Sequence, residues 1–536
     1  MTPLERLTGR ERLALGILVV AVVVGLSLWI HAVALPIPAV SDEAIYLWQA
    51  RLLASGELTA PAPPHPGAFK LPGLLVHDGK RLSQYPIGYP LALAPWVRAG
   101  IPWALNVLLA GLSVLLYHGL ARRIDGRGAA WVGTLLLSLS PYFVSVSTLF
   151  LGHTLTLFLT LVLLVALRRR EVAGGSARWA ACAGAAVGYA LNVSPFVAVP
   201  MLLVAFERGL AARRARPLRR REVLAFALPI LAGGALFCGV NLATTGSPWR
   251  PAYYLQSWVR AGFGEGIGRR VPMPSEEGRI EFSPRDALSL TGVRLASLNK
   301  SLFGWPVSSL AFAIGYLVYA GARRRARSGR GERTAMNEDP ARDRWDRPLL
   351  LLFLGTLAVY FFWYHHGLLG EMMGPRYLFG ALPTVVVFTA RGVAGFAALA
   401  SRISGPERRG PALGPRVAGL LLAVLVAAGT VPYYARLPGD EANRIRRGAQ
   451  DLFEELDRRG IREGTVFIRA LITYQAAPLL YASDFEGTGP LVFAKDRGAE
   501  ANEELLRSRG VGRVYHARME EKTYGWVLTE ETSLEK

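Results

Sequence analysis

Long apolar blocks alternate with short basic ones along most of the chain. Blocks such as 13–30 and 223–242 carry almost no charge. A run of about 18 or more apolar residues spans the hydrocarbon core as a helix, whereas a helix in a water-soluble core shows polar positions every few residues. The pattern predicts spans at 13–35, 101–121, 129–149, 151–167, 177–193, 195–206, 223–243, 306–320, 348–365, 377–399 and 417–434, about eleven in all. After residue 436 the period changes. Residues 443–459 read as an amphipathic helix, 466–468 and 491–493 as strands, 499–508 as a helix and 513–516 as a strand. The expected fold class is an α-helical polytopic membrane protein with extracytoplasmic amphipathic loop helices and a small C-terminal α/β domain. Its parts are a transmembrane module, 1–436, with outer loops 36–100 and 244–305, and an α/β domain, 437–536. No repeat of fixed period and no inverted pair of halves is visible.

Charge fixes the orientation. The formal net charge is +21. The basic residues are nearly all Arg, clustered between apolar blocks rather than on a soluble, aromatic-laced face, which argues against nucleic-acid binding. With the N-terminus cytoplasmic, the clusters at 122–127, 168–170, 213–221, 323–347 and 402–416 all fall on one side, and the positive-inside rule makes that side cytoplasmic. The same clusters suit anionic membrane lipids. Loops 36–100, 244–305 and 366–376 and the C-terminal domain then lie outside. The first block lacks a small-residue cleavage site and reads as an anchor. The two cysteines, Cys182 and Cys238, sit inside apolar blocks, with neither disulfide nor zinc spacing.

The candidate chemistry gathers on the outer side. Asp42 and Glu43 open an amphipathic stretch, 43–53, suited to a helix along the membrane surface. Ser41 and Asp42 could simply cap that helix; a carboxylate at the mouth of a bundle can also act as a general base. In His77-Asp78-Gly79-Lys80-Arg81, Asp78-Gly79 is a turn signal, while Lys80 and Arg81 offer a point charge and a bidentate fork to a phosphate. Arg376 begins a span from the outside, where it opposes the helix dipole, so it is a stronger functional candidate than the cytoplasmic arginines; snorkelling is the alternative. His153 ends a span on the outer side, either as a buried hydrogen-bonded residue or as a site residue. His365, His366 and Glu371 are a candidate divalent-metal set, against which adjacent histidines usually point apart. No cofactor is assigned.

The order of six motifs resembles the type C glycosyltransferase superfamily, specifically bacterial relatives of the protein O-mannosyltransferases and of the lipid A aminoarabinose transferase. They are SDEAIYLWQARLLASGEL (41–58), HDGKRLSQYPIGYPL (77–91), LGHTLTLFL (151–159), TGSPWRPAY (245–253), NKSLFGWP (299–306) and GPRYLFGALP (374–383). The resemblance implies a multi-pass protein of the bacterial inner membrane. It implies transfer of a sugar from a polyprenyl-monophosphate donor to a hydroxyl acceptor, on a protein, lipid or glycan, at the outer face. Asp42 matches the catalytic base and Glu43 its acidic neighbour. Lys80, Arg81 and Arg376 are implied near the donor phosphate, and Tyr85, His153 and Tyr377 join them as donor-binding candidates from the same motifs. The Arg-Pro that relatives often carry is replaced here by Asn192-Val193-Ser194-Pro195, which removes a cation from that position. Direct displacement with inversion is expected, because no second carboxylate pair presents itself as a nucleophile. The competing readings are a lipid or polysaccharide transporter, or flippase, and a non-catalytic membrane assembly protein.

Overall fold

The computed structural model describes residues 8–215, 217–256, 259, 261–265, 267, 281–329, 340–368, 372–403, 413–483, 485, 487–510 and 512–531. It is mostly helical, with a small sheet region. Six helices among the described residues have the length and hydropathy to cross a membrane: Gly9–Ala34, Ala104–Leu139, Pro195–Arg214, Arg220–Thr245, Arg376–Arg402 and Leu413–Arg458. Ala104–Leu139 is broken at Gly126, which adopts φ 81°, a value only glycine reaches without strain. The break falls between two expected spans. The second of these, 129–149, ends early: Ser140 caps a separate short helix, Pro141–Ser147, by accepting the Phe143 N–H at 3.2 Å. His153–Val172 and Ala177–Val193 follow.

The bundle closes through small residues where helices cross. A side chain at Gly184 or Gly188 would overlap the carbonyls of Phe226 and Pro229, and one at Gly233 would overlap Gly188. Small residues four apart let helix backbones touch, which replaces the hydrophobic drive that lipid cannot supply. Asn192 reinforces this seam, its Nδ2 donating to Gly188 O at 3.1 Å and Gly233 O at 2.9 Å. At the Arg-rich end the buried Arg391 joins Asp125 (2.6 Å) and Asp346, and Arg170 pairs with Glu222 at 2.8 Å.

The expected elements of the C-terminal part are present: helix Glu441–Arg458, strands Gly464–Arg469 and Leu491–Lys495, helix Ala499–Arg509 and strand Val514–Met519. A strand the pattern missed, Trp526–Glu531, completes a four-stranded sheet. Its order is Leu491–Lys495, Gly464–Arg469, Val514–Met519, Trp526–Glu531; the first three are parallel and the last antiparallel. A second missed element is the helix Pro284–Ser301, opened by Ser283 in a capping box with Asp286.

The acidic motif forms the helix Ser41–Ala54. Its apolar face does not meet lipid. Ala44, Ile45 and Trp48 share a core with Leu452, Val466, Phe467 and Tyr515 of the C-terminal part. The amphipathic pattern was real, but protein rather than a bilayer covers it.

Candidate active site

The helix Ser41–Ala54 begins after Val40, and neither Ser41 nor Asp42 caps it. Asp42 turns its carboxylate sideways instead. Oδ1 accepts the Tyr85 hydroxyl at 2.6 Å, and Oδ2 meets Arg376 Nη2 at 3.0 Å. Arg376 is buried, and its Nε has no hydrogen-bond partner among the described residues. Burial, then the charge of Asp42, holds the Tyr85 phenol well above its ordinary range, so it stays a donor. Asp42, Tyr85 and Arg376, drawn from three motifs far apart in the chain, thus form one cluster.

Glu43 points the other way. Its carboxylate is fully buried and takes the Ala39 N–H at 2.7 Å, the Phe150 N–H at 2.8 Å and Arg446 Nη2 at 2.8 and 3.1 Å. It faces no open space, so the expectation of a catalytic Glu43 does not fit this geometry; it positions the helix that carries Asp42.

Lys80 and Arg81 also leave the donor set. They lie on a hairpin, Leu74–His77 against Lys80–Ser83, turned by Asp78 (φ 49°) and Gly79 (φ 70°). Lys80 is exposed on it. Arg81 is buried over the Trp48 ring and donates to the Phe485 carbonyl, joining the hairpin to the C-terminal part. Strand alternation sends neighbouring side chains to opposite faces, so the two cations cannot converge on one phosphate.

Asp42, Tyr85, His153, Arg376 and Tyr377 line one cavity of about 1720 Å³. Tyr377 stacks on Tyr360 at 4.6 Å between ring centroids, and its hydroxyl accepts from Trp363 Nε1 at 3.3 Å. With Tyr253 and Trp363 these rings build an aromatic wall beside Asp42. The same lining carries the apolar side chains of Phe196, Val199, Leu203, Phe237 and Phe362. Val199, Leu203 and Phe362 are also exposed, so the cavity wall reaches the surface of the bundle at these residues. Asn192 and Ser194 line the cavity too, and supply amide and hydroxyl rather than charge.

One residue was not legible beforehand. Arg294, buried on the helix Pro284–Ser301, donates to the carbonyls of Tyr360 (2.7 Å), Trp363 (2.8 Å), His365 (2.7 Å) and His366 (3.3 Å). It closes the C-terminal end of the helix Pro340–Phe361, where carbonyls are left over and cations are favoured. In doing so it shapes the loop before Arg376. His365 and His366 each accept a backbone N–H on Nδ1, from Gly367 and Leu368, both at 2.9 Å. Burial, then Arg376, lowers the His366 pKa, so this imidazole is neutral near pH 7. Glu371, the third member of the candidate metal set, lies outside the described residues. Among the described residues no three His, Cys, Asp or Glu side chains gather as a metal site.

No protein-family model and no curated protein matches the sequence. Solved structures do. The crystal structure of ArnT from Cupriavidus metallidurans bound to undecaprenyl phosphate superposes with a TM-score of 0.51 at 14% identity, covering 94% of this chain and 93% of that one. This chain has the fold of ArnT. The apo form of ArnT gives a TM-score of 0.50 over the same coverage, also at 14% identity. The archaeal oligosaccharyltransferase AglB from Archaeoglobus fulgidus, in complex with an inhibitory peptide and a dolichol-phosphate, gives 0.49 at 12% identity over 95% of this chain and 70% of that one. At such identities the likeness is one of fold.

Proposed function

We propose that this protein is a membrane glycosyltransferase that moves a sugar from a polyprenyl-monophosphate donor to a hydroxyl acceptor at the outer face. The observation that carries this reading is one cavity that joins apolar side chains exposed on the bundle, among them Val199, Leu203 and Phe362, to a carboxylate held by Arg376 and Tyr85. A lipid donor cannot leave the bilayer. These apolar side chains admit its chain while its head group reaches the carboxylate. The fold shared with ArnT, crystallised with undecaprenyl phosphate, favours the same donor class.

The residues divide the chemistry as follows. Arg376, whose Nε has no partner among the described residues, receives the donor phosphate and stabilises the charge that develops on it. The aromatic wall at Tyr253, Trp363 and Tyr377 packs against the sugar ring. Asp42 accepts the proton of the attacking hydroxyl. The acceptor oxygen bonds to the anomeric carbon as the carbon–oxygen bond to phosphate breaks. The proton passes to Asp42, and polyprenyl phosphate leaves as the anion. Attack from the side opposite the phosphate inverts the anomeric centre.

About eleven spans, a cytoplasmic N-terminus, an extracytoplasmic C-terminal domain from residue 437 and an inner-membrane location complete the proposal. The test is an assay of the purified full chain with labelled polyprenyl-phosphate sugars and a panel of hydroxyl acceptors. Transfer that releases free polyprenyl phosphate and is lost in Asp42→Asn is expected. A product that retains the donor's anomeric configuration overturns the single displacement. Movement of the lipid without release of polyprenyl phosphate points to a transporter.

A further inference from the structure

The C-terminal part lends the cavity two polar side chains. Glu441 starts the helix Glu441–Arg458, and Tyr474 sits just past the strand Gly464–Arg469. The Tyr474 hydroxyl donates to Glu441 Oε1 at 2.8 Å, and both residues line the cavity. In a sheet of parallel strands, ligands collect beyond the carboxyl ends of the strands; here that edge turns Tyr474 towards Asp42's cavity. From the membrane part, the helix Ser41–Ala54 presents Asp42, Tyr46 and Gln49 at i, i+4 and i+7, one face of a helix, and all three line the same space. Ser41 Oγ and Gln49 Oε1 are more than nine-tenths buried in that lining and have no hydrogen-bond partner among the described residues. A buried polar atom without a partner costs free energy that a ligand recovers by bonding to it.

We infer that Ser41, Gln49 and the Glu441–Tyr474 pair form the acceptor subsite, and that the acceptor is a neutral, polyhydroxylated glycan rather than a phosphorylated lipid. The inference rests on the glycosyl-transfer reading and adds the acceptor to it. The chemistry is that of sugar hydroxyls. Gln49 Oε1 and the carboxylate accept them, and the two hydroxyl side chains can donate or accept. Glu441 repels an acceptor phosphate and leaves one oxygen free of Tyr474 for a glycan hydroxyl. The carbohydrate is held by several hydroxyls, so one of them stays turned towards Asp42.

Saturation-transfer NMR on the full chain in nanodiscs tests this, with methyl glycosides of glucose, mannose, galactose and arabinose as neutral probes and glycerol 3-phosphate as the anionic one. Undecaprenyl phosphate affinity is followed in parallel by tryptophan fluorescence. With undecaprenyl phosphate bound, so that Arg376 is occupied, at least one glycoside is expected to bind and glycerol 3-phosphate is not. The double variant Glu441→Gln/Tyr474→Phe should weaken glycoside binding about fivefold, the effect of a lost hydrogen bond, and leave lipid affinity unchanged. Four results overturn the inference: no glycoside binds, glycerol 3-phosphate binds the lipid-loaded protein, the double variant binds glycosides as the native protein does, or its lipid affinity falls in step. Failure of the native protein to bind undecaprenyl phosphate overturns the donor reading instead, whatever the glycosides do.

Discussion

Arg446 grips both carboxylate oxygens of Glu43, a residue 403 positions earlier, at 2.8 and 3.1 Å. Both side chains are fully buried. Arg446 also donates to the Ile37 carbonyl at 2.8 Å, so the C-terminal helix holds the chain on both sides of the helix start that carries Asp42. Removing one partner of a buried pair leaves the other charge uncompensated, at a cost of about 3–5 kcal/mol. Arg446→Met should therefore lower the thermal midpoint of the full chain sharply and expose its C-terminal part to protease. A variant with native melting and native protease resistance contradicts the clamp.

The site geometry separates residues that the motifs had grouped. Asp42→Asn should reduce transfer by roughly 10²–10⁴, the usual contribution of a positioned general base, with the fold intact by melting. Lys80→Ala should leave both transfer and melting unchanged, since Lys80 is exposed on its hairpin. Arg81→Ala should lower the melting point without weakening undecaprenyl phosphate binding. Fluorescence titration of the lipid distinguishes these cases, and a loss of lipid affinity in the Lys80 variant returns it to the donor site.

Acid should destabilise the loop before Arg376. The folded-state pKa of His366 lies below the unfolded value, through burial first and Arg376 second. Above an unfolded pKa of about 6.5 both states are neutral and the full stability is present. As pH falls below that value, the unfolded chain takes up protons that the folded one refuses, and stability is lost. Melting temperature measured from pH 7.5 down to 5.5 should fall, and the slope should flatten in His366→Asn. An equal slope in that variant assigns the effect elsewhere.

The seam between the helices Ala177–Val193 and Arg220–Thr245 has no room for a side chain at Gly188, which faces the Pro229 carbonyl. Gly188→Leu should separate the two helices at a cost of about 1–3 kcal/mol, the range for an overpacked site. The same seam leads to Asn192 in the cavity wall, so lipid binding should weaken as well. Thermal melting and the lipid titration report the two effects, and a variant native in both removes the seam from the account.

Much of the fold could be read from local pattern. Apolar blocks long enough to span a bilayer marked most bundle helices, because in lipid each helix must satisfy its own backbone within a continuous segment. The hairpin at Asp78-Gly79 was legible for a similar reason, since its residues favour the left-handed backbone the turn needs. The helix Pro284–Ser301 was not, because an amphipathic stretch of low hydropathy gives no span signal and its function rests on one buried arginine, Arg294.

For the site, the sequence by itself determined the type of chemistry available between the apolar blocks: an acidic pair, an arginine opening a span and tyrosines in between. Only the tertiary structure decided which of these meet. Asp42 and Glu43 are neighbours in the chain, and a helix rotates each successive side chain by about 100°. That rotation sends Asp42 into the cavity with Arg376 and Tyr85, and Glu43 into the grip of Arg446. Lys80 and Arg81 are parted in the same way by strand alternation. Adjacent charges read alike in a sequence; the element that carries them, and what packs on each of its faces, assigns one to chemistry and the other to structure.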